Sequence, residues 1–287
     1  MAALALVVLA GCGTPSTADQ VRPSRFYPFG SAVYYTAAEE QVIAHKLEQA
    51  TAVCMRGRGF RYDSSSAPAP ASWSAPEPNN PYFLLDMESA RIDGYGIALA
   101  VVRDRQRSYA AAPPTPDPQF AKALVGDQQH QSTIDLPDGS RVTVAVDACA
   151  TKAREMVFGG DWDRLYYTIQ ALSNIVIERT GKDPVVTDAL RAWSSCLNRS
   201  GYQAKNPEEL REQIQARARA AVDDAAMRIV AKTELTTAQA DAACQKETNL
   251  RRVTQKAQQP IEQQVLTDQF RRDLDQLRQR RQEVLGH

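Results

Sequence analysis

Five cysteines are the residues of this sequence whose chemistry is easiest to place. A cysteine thiol can carry a lipid, bind a metal, act as a nucleophile or form a disulfide, and its spacing and compartment help to decide between these roles. No two of them form a Cys-x-x-Cys pair, so the spacing indicates neither a zinc ribbon nor a thioredoxin-like redox site. The five are Cys12, Cys54, Cys149, Cys196 and Cys244.

Motifs for catalysis are missing. The sequence contains no His-Glu-x-x-His, Gly-x-Ser-x-Gly, Ser-x-x-Lys or Walker A pattern, and it has three histidines in all. Adjacent carboxylates could act as acid and base, but two of the three pairs fall in predicted first helical turns, where negative charge favours the helix dipole. These pairs are Glu39-Glu40, Glu208-Glu209 and Asp223-Asp224. We therefore expect a protein that is not an enzyme and needs no cofactor or metal.

The beginning of the chain has the pattern of a secretion signal. Residues 2–10 form an unbroken apolar run, which fits the core of a signal peptide, whereas a membrane-spanning helix needs about 20 residues. Leu9-Ala10-Gly11-Cys12 then matches the lipobox of bacterial lipoproteins. No lysine or arginine precedes the run, so we expect the true start codon to lie upstream. The alternative is a buried apolar segment with an ordinary cysteine.

The resemblance to lipoproteins implies a membrane anchor at Cys12. In that family, signal peptidase cuts before the cysteine after its thiol has received a diacylglyceryl group. Residues 1–11 would then be the signal peptide, and residues 12–35 a lipidated tether. Because two or more acyl chains hold a protein stably in a bilayer, we expect it to lie at the cell membrane, on the extracytoplasmic face.

The other four cysteines predict two disulfides, because an even number in an exported chain is typical of disulfide pairing. A cysteine followed by an apolar residue, and then by Gly-aromatic five residues on, occurs at residues 54–60 and again at residues 196–202. An aspartate also precedes each of the later cysteines, Cys149 and Cys244. We therefore predict that each half pairs its early and late cysteine, as Cys54–Cys149 and Cys196–Cys244. Four free buried cysteines are the alternative.

Helix signals dominate the chain. Thr36 and Glu39 have the spacing of a capping box, and the helix that they begin is predicted to run to about Arg56. Apolar residues at helical spacing predict a further helix from Trp162 to Gly181. The aromatic side chains Trp162, Tyr166 and Trp193 are interpreted as core, with ligand stacking as the alternative. Other helix starts are predicted at Asp86, Asp117-Pro118, Asp147, Asp183-Pro184 and Asn206-Pro207.

Strand signals are confined to one place. Alternating apolar residues lie on both sides of Pro137-Asp138-Gly139 and predict a β-hairpin. After residue 250, an apolar stripe predicts one long helix or a helix pair, kinked or broken at Pro260. The alternative to a core role for this stripe is docking on a partner. Five arginines alternate there with acidic residues, which favours a solvated face; they are Arg271, Arg272, Arg278, Arg280 and Arg281.

The predicted architecture is mainly α: a helical protein in two weakly similar, disulfide-stapled halves with a small β-hairpin. The first half spans residues 36–181 and includes the hairpin and the Pro-rich stretches 64–81 and 111–118. The second half spans residues 182–287 and ends in the long C-terminal helix. The chain has 34 basic and 34 acidic residues, so its balanced charge argues against nucleic acid as a partner.

With these motifs, the chain resembles a loosely defined group of actinobacterial cell-surface lipoproteins of unknown function. The resemblance rests on the lipobox, the two Cys-x-x-x-x-Gly-aromatic motifs, Gly94-Tyr95-Gly96 and the aspartates before Cys149 and Cys244. It implies a non-enzymatic binding or structural role in the cell envelope, with an envelope protein or cell-wall material as a possible partner. The alternative is a cell-wall-active hydrolase with an unrecognised carboxylate site, which needs two carboxylates about 5–10 Å apart in a groove.

Overall fold

The computed structural model describes residues 26–63, 80–109 and 117–286, and within these ranges the protein is mainly α, as predicted. Cys12, the signal peptide and most of both Pro-rich stretches lie outside these ranges. The helices are α1 (Pro28–Ser31), α2 (Ala37–Gly57), α3 (Met87–Ile92), α4 (Ile97–Tyr109), α5 (Pro118–Val125), α6 (Cys149–Phe158), α7 (Trp162–Gly181), α8 (Pro184–Arg199), α9 (Pro207–Ala220), α10 (Asp224–Glu247), α11 (Leu250–Val265) and α12 (Asp268–Leu285). None of the helices in this part of the chain has the length and apolar character that crossing a bilayer requires.

The helix starts follow the predicted caps in all but one case. Thr36 and Glu39 form the capping box of α2, with the Thr36 N–H donating to Glu39 Oε2 at 2.7 Å. The side chains of Asp86, Asp117, Asp183 and Asn206 also accept N–H bonds at their helix starts. The prediction for Asp147 was wrong, because Ala148 is the N-cap residue of α6 and makes no side-chain cap bond. The Asp147 carboxylate instead turns towards His130.

The predicted hairpin is present. Strands β1 (Gln131–Asp135) and β2 (Arg141–Ala145) pair antiparallel, with Thr133 opposite Thr143. The turn between them is closed by the Leu136 N–H, which donates to the Ser140 carbonyl at 2.9 Å, and by Gly139, whose φ of +82° is readily adopted by glycine. The two strands make a two-stranded sheet that no other described strand joins.

The C-terminal stripe forms a helix pair, but Pro260 does not break it. Pro260 lies inside α11, and the helix continues to Val265. The chain turns at Leu266, which is extended, and Thr267 begins α12 by accepting the Phe270 N–H. Leu274 and Leu277 are buried in the core, so the stripe is covered by the chain itself, in agreement with the core interpretation.

Three arginines of α12 correct the prediction of a solvated face, whereas Arg271 and Arg272 are exposed as predicted. Arg280 donates to the Phe158 carbonyl at 2.8 Å, and Arg278 donates to the Phe29 carbonyl at 2.8 Å. Arg281 forms two bonds of 2.8 and 2.9 Å with the Glu39 carboxylate. These side chains join α12 to α1, to α2 and to the end of α6. The backbone carbonyls and the carboxylate that they bind come within reach once α12 has packed on the core.

Two main cores hold the helices together, and each uses elements from both sides of residue 181. One core combines Tyr95 of the segment before α4 with residues of α8, α9 and α10. The other combines the N-terminal segment and α7 with α12. The division of the chain into two halves at residues 181 and 182 stays a prediction from the sequence. Both cores contain residues from each of these halves.

Both predicted disulfides are confirmed. Cys54–Cys149 joins α2 to α6, with the two Cα atoms 5.5 Å apart. Cys196–Cys244 joins α8 to α10, with a Cα separation of 5.6 Å. Each disulfide therefore fastens two helices that pack side by side.

Candidate functional site

The β-hairpin presents a free strand edge. The Val146 N–H donates to the His130 carbonyl at 3.0 Å, and this bond fixes which residues of β1 point their backbone groups towards β2. Hydrogen-bonded and non-hydrogen-bonded residue pairs alternate along an antiparallel ladder, and His130 and Val146 form a hydrogen-bonded pair. The N–H and C=O groups of Gln131, Thr133 and Asp135 therefore point away from β2. No backbone hydrogen bond joins these three residues to another segment of the described chain. This edge of β1 can accept an extended partner strand.

A cleft of about 440 Å³ lies between the hairpin and the junction of α6 and α7. Ile134, Val144 and Val146 form its apolar strand side, and Trp162 lies on the helix side. Arg154, Asp163 and Arg164 add charged groups. The cleft thus combines apolar surface with a few polar groups, a combination that is typical of binding sites.

The acidic groups on the helix side of the cleft are paired with cations. Arg154 holds Asp163 through two bonds of 2.7 and 2.8 Å. Asp161 lies 2.5 Å from Arg280, and Glu155 lies 2.7 Å from Lys152. Each of these carboxylates is held in an ion pair. They therefore contribute mainly to the shape and polarity of the cleft, and less to acid–base chemistry.

Three side chains of types that can bind a metal ion lie close together at the base of the hairpin: Asp127, His130 and Asp147. The His130 Nδ1 atom lies 3.5 Å from Asp127 Oδ1 and 3.6 Å from Asp147 Oδ2. Lys122 lies 2.6 Å from the other oxygen of Asp127, and its ammonium helps to lower the pKa of that carboxyl to about 2. Asp147 Oδ1 is buried, and no described residue forms a hydrogen bond with it.

Close packing positions this cluster. Gly126 ends α5 with a φ of +82°, and a methyl group added there would overlap the Cβ atom of Ala145 at the end of β2. Arg58 donates to the Asp147 carbonyl from the end of α2. The residue after Ala148 is Cys149, which the disulfide fastens to α2. Helices α2, α5 and α6 together therefore hold the base of the hairpin.

A second cluster of acidic groups is buried inside the protein, away from any described cavity. Glu234 on α10 is 3% exposed and accepts the backbone N–H groups of Tyr95, Ile97 and Ala98 at 2.7–2.9 Å. These N–H groups belong to the start of α4, so Glu234 acts as its cap from a distant part of the chain. Gly94 allows this approach, because a Cβ atom there would lie 3.1 Å from the Glu234 side chain.

Asp241 lies about two turns further along α10 than Glu234 and is fully buried. Its carboxylate accepts bonds from the Tyr95 hydroxyl at 3.0 Å and the Trp193 indole N–H at 2.9 Å. Burial raises the pKa of this carboxyl to about 6, and hydrogen bonds from Gln245, Trp193 and Tyr95 oppose that rise. Arg211 stacks over the Tyr95 ring at 4.8 Å. The contacts of Glu234 and Asp241 give these carboxylates a structural role.

The residues singled out from the sequence do not form one site. Trp162 and Trp193 are buried and Tyr166 is half-buried, which agrees with the core interpretation. The carboxylate pairs at residues 39–40, 208–209 and 223–224 all lie at helix starts. His45 lies on α2 and contacts Gln49 at 2.9 Å.

Sequence reasoning missed the cluster at the hairpin base, although a signal was present. Asp127 and His130 lie just before β1, and Asp147 lies just after β2. The outer ends of a hairpin always meet, so polar residues flanking a predicted hairpin are candidates for a shared site. Comparison of the chain with protein-family models, with curated proteins and with solved structures finds no match in any of the three.

Proposed function

We propose that this protein is a lipoprotein anchored through Cys12 to the extracytoplasmic face of the cell membrane, with a non-enzymatic binding role in the cell envelope. The observation that carries the proposal is the use of the cysteines: four of the five form two disulfides, as is typical of proteins in oxidising compartments. The remaining cysteine is the one in the lipobox pattern.

Changing Cys12 to serine tests the anchor. We expect the wild-type protein to enter the detergent phase on phase partitioning, because acyl chains on the cysteine would hold it there. The Cys12→Ser variant should keep its signal peptide and lose radiolabelled fatty acid. The matched control is Cys196→Ala with Cys244→Ala, which should still be lipidated. Fatty-acid labelling of Cys12→Ser equal to that of wild type would contradict the proposal.

The binding role rests on the free edge of β1 beside the cleft. An extended peptide can add to such an edge through main-chain hydrogen bonds, while side-chain pockets next to it supply specificity. The cleft offers such pockets, with Ile134, Val144 and Val146 as apolar contacts. We therefore infer that the partner is an extended segment of an envelope protein. The hydrolase alternative has less support, since Glu155, Asp161 and Asp163 are held by cations.

Paired proline substitutions test the edge. Thr133 and Thr143 face each other across the hairpin, and the N–H of each points outwards. Proline removes the N–H donor, so Thr133→Pro blocks the β1 edge and Thr143→Pro blocks the opposite edge. After cross-linking in intact cells and purification from solubilised membranes, we expect a partner to be retained by Thr143→Pro and lost from Thr133→Pro. Equal retention by both variants would exclude the β1 edge as the binding surface.

A further inference from the structure

We propose that Asp127, His130 and Asp147 form a site for a divalent transition-metal ion, with Zn²⁺ as the ion that suits them best. Imidazole nitrogens and carboxylate oxygens are both zinc ligands, and three protein ligands leave a fourth position for water. The inference goes beyond the proposed function, because it depends neither on the anchor at Cys12 nor on a partner at β1.

The distances within the cluster suit coordination better than hydrogen bonding. The His130 Nδ1 atom lies 3.5 and 3.6 Å from the two carboxylate oxygens, beyond the usual hydrogen-bond range of about 2.7–3.2 Å. Zinc bonds of about 2.0–2.2 Å arranged tetrahedrally place neighbouring ligand atoms about 3.3–3.6 Å apart. The two separations from the imidazole nitrogen therefore fall within this range, and all three ligand atoms lie within 4.8 Å of one another.

A second observation concerns Asp147. Its side chain is 40% exposed, but its Oδ1 atom is buried and has no hydrogen-bond partner among the described residues, and such an atom normally costs stability. Its Oδ2 atom is the one that faces His130. A cation bound next to Oδ2 would also lie close to Oδ1 and would compensate the charge of the whole carboxylate.

Lys122 is the group that competes with a metal ion. Its ammonium pairs with Asp127 Oδ2, while Oδ1 of the same carboxylate faces His130. The lysine side chain is 57% exposed, so it can move into solvent when an ion binds. Removing this ammonium should strengthen metal binding, because Asp127 would then keep only the backbone bonds that its Oδ1 atom accepts from Gln129 and His130.

An ion at this position would fasten the hairpin. It would link the segment after α5 directly to the residues that flank β1 and β2. Because the cleft lies beneath the hairpin, metal binding would also fix the width of the cleft. The amides of β1 and β2 should then exchange with solvent more slowly when Zn²⁺ is bound.

Calorimetric titration of Zn²⁺ into the purified full-length mature protein in detergent tests the site. Even outer-shell changes alter metal affinity by about 10–100-fold, so His130→Ala should weaken binding by at least about tenfold. The matched control is His45→Ala, because His45 is likewise an exposed histidine but lies on α2 and not at the hairpin. We expect His45→Ala to bind as wild type does, and Lys122→Ala to bind more tightly.

Two further measurements keep the test independent of folding. Circular dichroism confirms that His130→Ala is folded, and Asp147→Asn provides a second variant that keeps the side-chain volume. Hydrogen exchange should show that Zn²⁺ protects residues 131–145 in wild type and in His45→Ala, but not in His130→Ala. Equal Zn²⁺ affinity of wild type and His130→Ala would overturn the proposal, as would the absence of binding by both wild type and Lys122→Ala at millimolar Zn²⁺.

Discussion

Replacing Glu234 by alanine should lower the free energy of unfolding by about 3–5 kcal/mol, because it leaves three backbone N–H donors without their charged acceptor. The donors belong to Tyr95, Ile97 and Ala98, and Glu234 itself is 3% exposed. Urea unfolding followed by circular dichroism measures the loss. Hydrogen exchange should locate it at α4, whose first amides lose their protection.

Two further variants make this result specific. Glu234→Gln keeps one acceptor oxygen for the Tyr95 and Ile97 N–H groups but turns an amide donor towards Ala98, so its loss should be smaller than that of Glu234→Ala. Glu247→Ala removes another glutamate of α10, which is largely exposed and forms an ion pair with Arg199. A surface pair of this kind contributes about 0–1 kcal/mol. If Glu234→Ala and Glu247→Ala had equal effects, the capping role of Glu234 would be wrong.

Removing the Cys54–Cys149 disulfide should cost about 4–5 kcal/mol, since it closes a loop with a sequence separation of 95. The Cys196–Cys244 disulfide has a separation of 48, and its removal should cost about 4 kcal/mol. Alanine replaces each cysteine pair, because Cys149 and Cys244 are buried among apolar groups and a serine hydroxyl would add an unpaired polar atom.

Urea unfolding of the two double variants, with and without a reducing agent, measures these losses. Reduction should destabilise wild type more than either variant, because each variant has only one disulfide left to lose. A loss below about 1 kcal/mol for Cys54→Ala with Cys149→Ala would show that packing of α2 against α6 holds these helices without the disulfide. The order of the two losses tests whether loop length determines their size.

These two predictions concern the same structural property, which is the joining of distant parts of the chain. The helices α3 and α4 pack against α10, and α12 packs against α2, α6 and α7. Glu234 and the two disulfides act at such junctions. They stabilise the body that carries the hairpin and its cleft, so destabilised variants should also lose any partner that binds at β1.

Local features of this protein were determined by the sequence alone. The capping box of Thr36 and Glu39, the turn at Pro137-Asp138-Gly139 and the helix starts at Asp183 and Asn206 all appear where they were predicted. Each depends on backbone hydrogen bonds within about four residues, so the neighbouring residues contain all that is needed. The disulfide pairing was also predictable, because the two halves repeat the same pattern around their cysteines.

Tertiary structure decided the features that depend on long-range packing. Glu234 binds N–H groups more than 130 residues away, and α4 itself has no capping signal of its own in the sequence. Pro260 remains inside a helix, and Arg281 forms an ion pair with Glu39. The energy of a buried carboxylate or arginine depends on the donors and acceptors that surround it after folding. Those partners come from distant segments, so the roles of these residues were settled only when the helices packed together.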